Sequence, residues 1–118
     1  GRKNGDQSNC ANYPPICTYN GMQQRLRESY MEMAITNSAT VAPVGVAWKT
    51  FRDSFPTIDL YNPDESHPSL HGSYLAACVF YSVLYGESAE GNPYISTLPE
   101  HIALKLQKVA WDTVTEFY

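Results

Sequence analysis

The sequence predicts an α/β fold that is rich in helix and holds one or two short strands. Three segments repeat apolar residues at helical spacing, and one short run of apolar and β-branched residues has the composition of a buried strand. The chain has 118 residues, of which 43% are hydrophobic. That is enough for one modest core and too apolar for a disordered segment.

Residues 1–20 are predicted to be an irregular loop region, because they show no helical or strand period and are rich in Asn, Gly and Pro. Cys10 and Cys17 lie seven positions apart within it. They would form a small disulfide loop in a secreted or periplasmic protein and would be free thiols in a cytosol. The sequence leaves the compartment open between these alternatives.

An amphipathic helix is predicted over residues 22–37, where apolar side chains recur every three or four positions. A buried strand is predicted next, over residues 40–46, which are mostly apolar or β-branched. The strand should end near Gly45, because Pro43 has no backbone N–H to donate to a central ladder.

A short helix is predicted over residues 47–54, followed by an apolar patch at 58–61 and a polar turn with two prolines at 62–69. A strongly apolar helix should then run from Leu70 to Tyr85. Gly86 is well placed to end it.

The last helix is predicted to run from about Leu98 to Phe117. Thr97 and Glu100 have the spacing of a capping box at its start. Cys78, in the apolar stripe of the preceding helix, is predicted to be a buried, inert thiol.

Asp64 and His67 form the segment that suggests chemistry, since they lie three residues apart on the polar turn. A carboxylate against one imidazole nitrogen fixes the tautomer and stabilises the imidazolium ion. The second nitrogen is then left to take a proton from a nucleophile. A solvated turn in which Asp64 is only a cap is the structural alternative.

Four stretches of the sequence are similar to the C-terminal part of SGNH (GDSL-type) hydrolases. They are Gly-Arg-Lys-Asn-Gly-Asp at residues 1–6, Val-Ala-Pro-Val-Gly-Val-Ala-Trp at 41–48, Asp-Glu-Ser-His-Pro-Ser at 64–69 and Gly-Ser-Tyr-Leu-Ala-Ala at 72–77. The resemblance implies a three-layer α/β/α, flavodoxin-like domain in which the Asp-x-x-His-Pro turn follows the last parallel strand. It implies that His67 is the general base and that Asp64 orients it.

The nucleophilic serine of that family stands in a Gly-Asp-Ser motif, which this chain lacks; Gly5-Asp-Gln-Ser8 only approaches it. Residues 1–118 are therefore expected to be one partial domain whose serine is supplied from elsewhere. The substrate implied is a small ester or an acylated carbohydrate, with no cofactor. Without the other half, the chain is expected to repack as a mainly α domain, to self-associate, or to dock on that half.

A metal site made of Asp64, His67 and His71 is a weaker interpretation, because a helix cap at Ser69 would leave His67 outside the helix and remove the i, i+4 geometry. His101 and Glu65 are expected to be solvated surface groups. No metal is predicted.

Two function classes remain: a segment of a serine ester hydrolase, and a non-catalytic helical module for interaction or self-association. Nine tyrosines would suit an association surface, or would simply lie at the edge of the core. The formal net charge of −4 and the scattered basic residues argue against nucleic acid. No apolar run has the length of a membrane span.

Overall fold

The computed structural model describes all residues from Gly1 to Tyr118. Its regular structure is helical, and its only extended pairing is an isolated bridge between Lys3 and Gly5. The elements are a 3-10 helix at Pro14–Cys17, α1 at Tyr19–Asn37, α2 at Val44–Ser54, α3 at Leu70–Tyr85 and α4 at Glu100–Phe117.

The predicted α/β fold is therefore wrong, because the chain has four α-helices and no sheet. The strand expected at 40–46 is absent, and α2 begins at Val44 with Pro43 as its N-cap. A short apolar run does not distinguish a strand from a buried helix, and proline is as well suited to a helix start as to a strand end. No second strand is present to pair with this run, so the helix satisfies its backbone groups internally. A mainly helical chain, the alternative expectation, agrees with these four helices.

The chain divides into two compact units, the first made of Gly1–Val41 and Tyr61–His67 and the second of Ala42–Leu60 and Pro68–Tyr118. In the first unit α1 packs against the 3-10 helix. The Thr18 hydroxyl accepts a hydrogen bond from the Gly21 N–H at 3.0 Å, which caps α1 and starts it three residues before the predicted Met22.

In the second unit α2, α3 and α4 pack on one another. The bounds of α3 are confirmed, with Ser69 as its N-cap and Gly86 ending it at a φ of 66°. The core of this unit contains the largest fully buried apolar side chains, which are Phe51, Leu60, Leu75, Val79 and Leu106.

The capping box predicted for the last helix is wrong, because α4 begins at Glu100 with Pro99 as N-cap and no side-chain cap. A residue that precedes proline is disfavoured in the α region. Leu98 is therefore disfavoured as the first helical residue, and Thr97 lies two positions before the observed N-cap Pro99.

A buried polar network holds the loop at 91–94 onto α3 and α4. Gln107 is fully buried; its Oε1 accepts from the Gly91 N–H at 3.0 Å, and its Nε2 donates to the Tyr74 hydroxyl at 2.9 Å and to the Asn92 carbonyl at 3.3 Å. The Tyr74 hydroxyl donates in turn to the Tyr94 carbonyl at 2.7 Å. Because each of these groups has a partner, the side chain is buried without an unsatisfied polar atom.

Helix α3 carries no Asp, Glu, Lys or Arg, yet one side of it is exposed. Its exposed apolar residues recur at helical spacing, and we refer to Leu70, Ala77, Phe80 and Leu84 together as the α3 apolar face. A helix that is apolar all round is typical of an element covered on every side. No helix of the chain combines the length and the apolar character needed to cross a membrane.

The predicted buried thiol is confirmed. Cys78 lies on the covered side of α3 and is 4% exposed, and burial raises the pKa of its thiol to about 11.

Gly72 permits the close approach of α3 to the chain before it, and we expect Gly72→Ala to destabilise the protein by about 1–3 kcal/mol. A Cβ at this position would lie 2.6 Å from Cζ2 of Trp48 and would also collide with the Leu60 carbonyl oxygen. Denaturant unfolding measures the change. Ser73→Ala is the control, since Ser73 is exposed on the same helix; equal stability of the two variants would contradict the prediction.

Candidate functional site

The predicted Asp64–His67 pair lies on a tight turn at residues 62–67, within the first unit. The Asn62 carbonyl accepts from the Glu65 N–H at 2.9 Å, and the Asn62 N–H donates to the His67 carbonyl at 2.8 Å. Asn at the first and Pro63 at the second position of such a turn are both favoured, since proline presets φ. The local sequence therefore accounts for the turn.

Asp64 organises the second half of this turn. Its Oδ1 accepts from the backbone N–H groups of Ser66 and His67, each at 3.0 Å. Aspartate commonly makes such bonds to amides two and three residues ahead. Its Oδ2 lies 2.5 Å from Nδ1 of His67. The structure thus brings together the two residues that the sequence singled out.

The contact with Asp64 assigns different states to the two imidazole nitrogens of His67. The carboxylate is an acceptor, so Nδ1 carries the donated proton; when the ring is neutral, Nε2 then holds the lone pair. The His67 side chain is 75% exposed, which leaves Nε2 open to an external partner.

The hydrogen bonds to Asp64 lower the pKa of its carboxyl group to about 2. The bond from the His67 backbone N–H contributes most, followed by the Ser66 N–H and then the His67 side chain. Asp64 is therefore ionised across the physiological range, as a group that stabilises an imidazolium ion must be.

Glu65 has a structural role that the sequence analysis does not predict, since its local sequence indicates only a solvated surface charge. Its backbone is left-handed, with a φ of 60°, and its Oε2 accepts from Nδ2 of Asn4 at 2.7 Å. Its carbonyl accepts from the Lys3 N–H at 2.9 Å. Both partners lie more than 60 positions away, and no local sequence signal marks that pairing.

Ser69 and Ser8 take part in local hydrogen bonds of the backbone. The Ser69 hydroxyl donates to the Asp59 carbonyl at 2.9 Å and accepts from the Gly72 N–H at 3.3 Å, as the cap of α3. Ser8 donates its backbone N–H to Asp6 at 3.1 Å within a turn of the N-terminal segment. The Ser69 hydroxyl is therefore engaged in capping α3.

The remaining histidines and acidic groups do not assemble into a metal centre. Nδ1 of His71 lies 3.0 Å from the Asp59 carbonyl. His101 is exposed in the first turn of α4. The structure contains no group of three or more His, Cys, Asp or Glu side chains that could hold a metal ion.

Cys10 and Cys17 are joined by a disulfide bond. It encloses most of the 3-10 helix within the N-terminal segment. Of the two states that the sequence left open, the structure has the bridged one.

No family model matches the chain, and no curated protein or solved structure shows significant similarity to it. The similarity to SGNH hydrolases therefore depends on the motif residues alone.

The pH dependence of the 62–67 turn should follow Asp64. Since its folded-state pKa of about 2 is below the unfolded value of about 3.9, ionised Asp64 stabilises the turn above about pH 4. This stabilisation is lost as the pH falls through about 2. Carboxyl ¹³C NMR of Asp64 and the amide shifts of Ser66 and His67 should titrate together with that midpoint.

His67→Ala is the informative variant for this titration. It should raise the pKa of Asp64 only part of the way to its usual value, because the backbone amides that contribute most remain. A midpoint near 3.9 in the unmodified protein would contradict the assignment.

Proposed function

We propose that this chain is the base-bearing segment of a serine ester hydrolase, with His67 as the general base and Asp64 as its orienting partner. The observation that carries the proposal is the hydrogen bond between Asp64 Oδ2 and His67 Nδ1, on a turn that leaves the imidazole exposed. The Asp-x-x-His-Pro-Ser sequence supports the same reaction class through its likeness to SGNH hydrolases.

In this reaction Nε2 of His67 accepts the proton of a serine hydroxyl while the serine oxygen attacks the ester carbonyl. The imidazolium ion that forms is stabilised by the ionised Asp64. It then returns its proton to the departing alkoxide, which leaves an acyl-serine that water hydrolyses by the same base. The proposed substrate is a short acyl ester or an acylated carbohydrate, and neither a metal nor a cofactor takes part.

The nucleophile in this proposal lies outside residues 1–118, since the chain has no Gly-Asp-Ser motif. The α3 apolar face is then the surface on which the rest of the hydrolase packs. A helix without charged side chains suits that position.

The proposal is tested on the full product of the gene, with a fluorophosphonate probe for serine labelling and a short acyl ester as substrate. His67→Ala should lower labelling and hydrolysis about 10²–10⁴-fold, the usual contribution of a general base. His101→Ala is the matched control and should retain both. The 118-residue chain alone should not be labelled.

Absence of serine labelling in the full gene product would refute the proposal. Equal loss in the His67 and His101 variants would do so as well, because it would show a general effect of histidine removal.

The second candidate function is that of a non-catalytic module which self-associates through α3. The exposed side chains of Phe80 and Leu84, 50% and 75% exposed, favour it. Contiguous exposed apolar patches are typical of interaction sites when they are large. In this candidate the occupant of the α3 apolar face is a second copy of the chain.

The double variant Phe80→Ser/Leu84→Ser tests this second candidate by sedimentation equilibrium. If the module self-associates, the unmodified chain should form dimers that this variant abolishes. Ile35→Ser is the matched control, because Ile35 is an equally exposed aliphatic residue on α1. A monomeric unmodified chain would exclude self-association.

A further inference from the structure

We propose that Asn4 is a positioning residue for His67, which it holds indirectly by fixing the left-handed backbone of Glu65. This inference concerns a residue outside the Asp64–His67 pair and rests on the proposed role of His67 as the base. It is carried by the contacts that the N-terminal segment makes with the 62–67 turn.

Glu65 stands between the two residues that must meet. Its φ of 60° lies in a region that side chains other than glycine rarely adopt. If Glu65 relaxed to an ordinary conformation, the chain direction after it would change. The His67 N–H and ring would then leave the Asp64 carboxylate, whose Oδ1 and Oδ2 they contact at 3.0 and 2.5 Å.

Two contacts from the N-terminal segment hold Glu65 in this conformation. The Asn4 side chain donates from Nδ2 to the Glu65 carboxylate at 2.7 Å, and the Lys3 N–H donates to the Glu65 carbonyl at 2.9 Å. A hydrogen bond to a carboxylate is stronger than one between neutral groups. Asn4 thus binds the side chain of Glu65, while the Lys3 N–H binds its backbone carbonyl.

Asn4 is itself held in place by contacts of its own segment with the chain at residues 16–18. Nε2 of Gln7 donates to the Asn4 carbonyl at 2.9 Å and to the Cys17 carbonyl at 2.8 Å. Gly5 lies so close to the chain at 16–18 that a Cβ on it would come within 2.5 Å of the Ile16 carbonyl oxygen. The disulfide-closed loop and the start of α1 therefore support the position of Asn4.

The test measures the state of the Asp64–His67 pair by NMR on the 118-residue chain. Long-range ¹H–¹⁵N spectra of His67 report its tautomer, and carboxyl ¹³C shifts report the titration of Asp64. In the unmodified protein we expect the Nδ1–H tautomer and an Asp64 midpoint near pH 2. In Asn4→Ala the tautomer should shift toward Nε2–H, and the Asp64 midpoint should rise toward about 3.9.

Three further variants separate positioning from a general loss of order. Glu65→Ala should reproduce Asn4→Ala, and the double variant should add nothing further, because both remove the same hydrogen bond. Glu65→Gln should give a smaller change than Glu65→Ala, since the glutamine side-chain carbonyl can still accept from Asn4 but forms a weaker, neutral hydrogen bond.

Asn9→Ala is the matched control. Asn9 is an asparagine of the same segment whose side chain donates to Asp6 at 2.9 Å instead of to the turn. It should leave the His67 tautomer and the Asp64 midpoint unchanged. An unchanged pair in Asn4→Ala, or an equal change in Asn9→Ala, would overturn the inference.

The outcome is independent of hydrolase activity. If the full gene product is not labelled by the fluorophosphonate while Asn4→Ala still disturbs the pair, the proposed function fails and the positioning role stands. If labelling requires His67 while Asn4→Ala leaves the NMR signals unchanged, the positioning role fails and the proposed function stands.

Discussion

The Asp64 carboxylate is the group on which the geometry of the 62–67 turn depends. One oxygen accepts two backbone N–H groups and the other meets the imidazole, so a single side chain sets both the path of the backbone and the orientation of the ring. These bonds lower the pKa of the Asp64 carboxyl group to about 2, so it is charged near neutral pH. Asp64 and His67 are thereby held together on an exposed turn without being buried. This is unusual, because water normally competes for the hydrogen bonds of exposed charged groups.

The two units are stabilised by different kinds of interaction. The second unit has a largely apolar core of α2, α3 and α4, in which Gln107 is the largest buried polar side chain and both polar atoms of its amide are hydrogen-bonded. The first unit depends more on hydrogen bonds between irregular segments, such as that from the Tyr61 hydroxyl to the Gly1 carbonyl at 2.7 Å. The candidate site lies in the less regular unit, where loops rather than helices determine the position of side chains.

Local sequence signals predicted those features that depend on neighbours along the chain. The bounds of α3 follow from Ser69 and Gly86, and the contact between Asp64 and His67 follows from their spacing on a proline-containing turn. The strand at 40–46 was mispredicted because its apolar residues fit either a strand or a helix, and only the absence of a partner strand decides between them. The hydrogen bond between Asn4 and Glu65 spans 61 positions, and the local sequence around neither residue predicts it.

The different states of the three cysteines have a consequence for thiol–disulfide exchange in the folded protein. A thiol attacks a disulfide only as the thiolate, and the high pKa of the buried Cys78 leaves almost none of that form near neutral pH. Once α3 is packed, burial and the high pKa of Cys78 disfavour both its exchange with the Cys10–Cys17 bridge and its linkage to a second chain. Although the chain has three cysteines, the folded protein thus has one bridged pair, Cys10–Cys17, and one buried thiol.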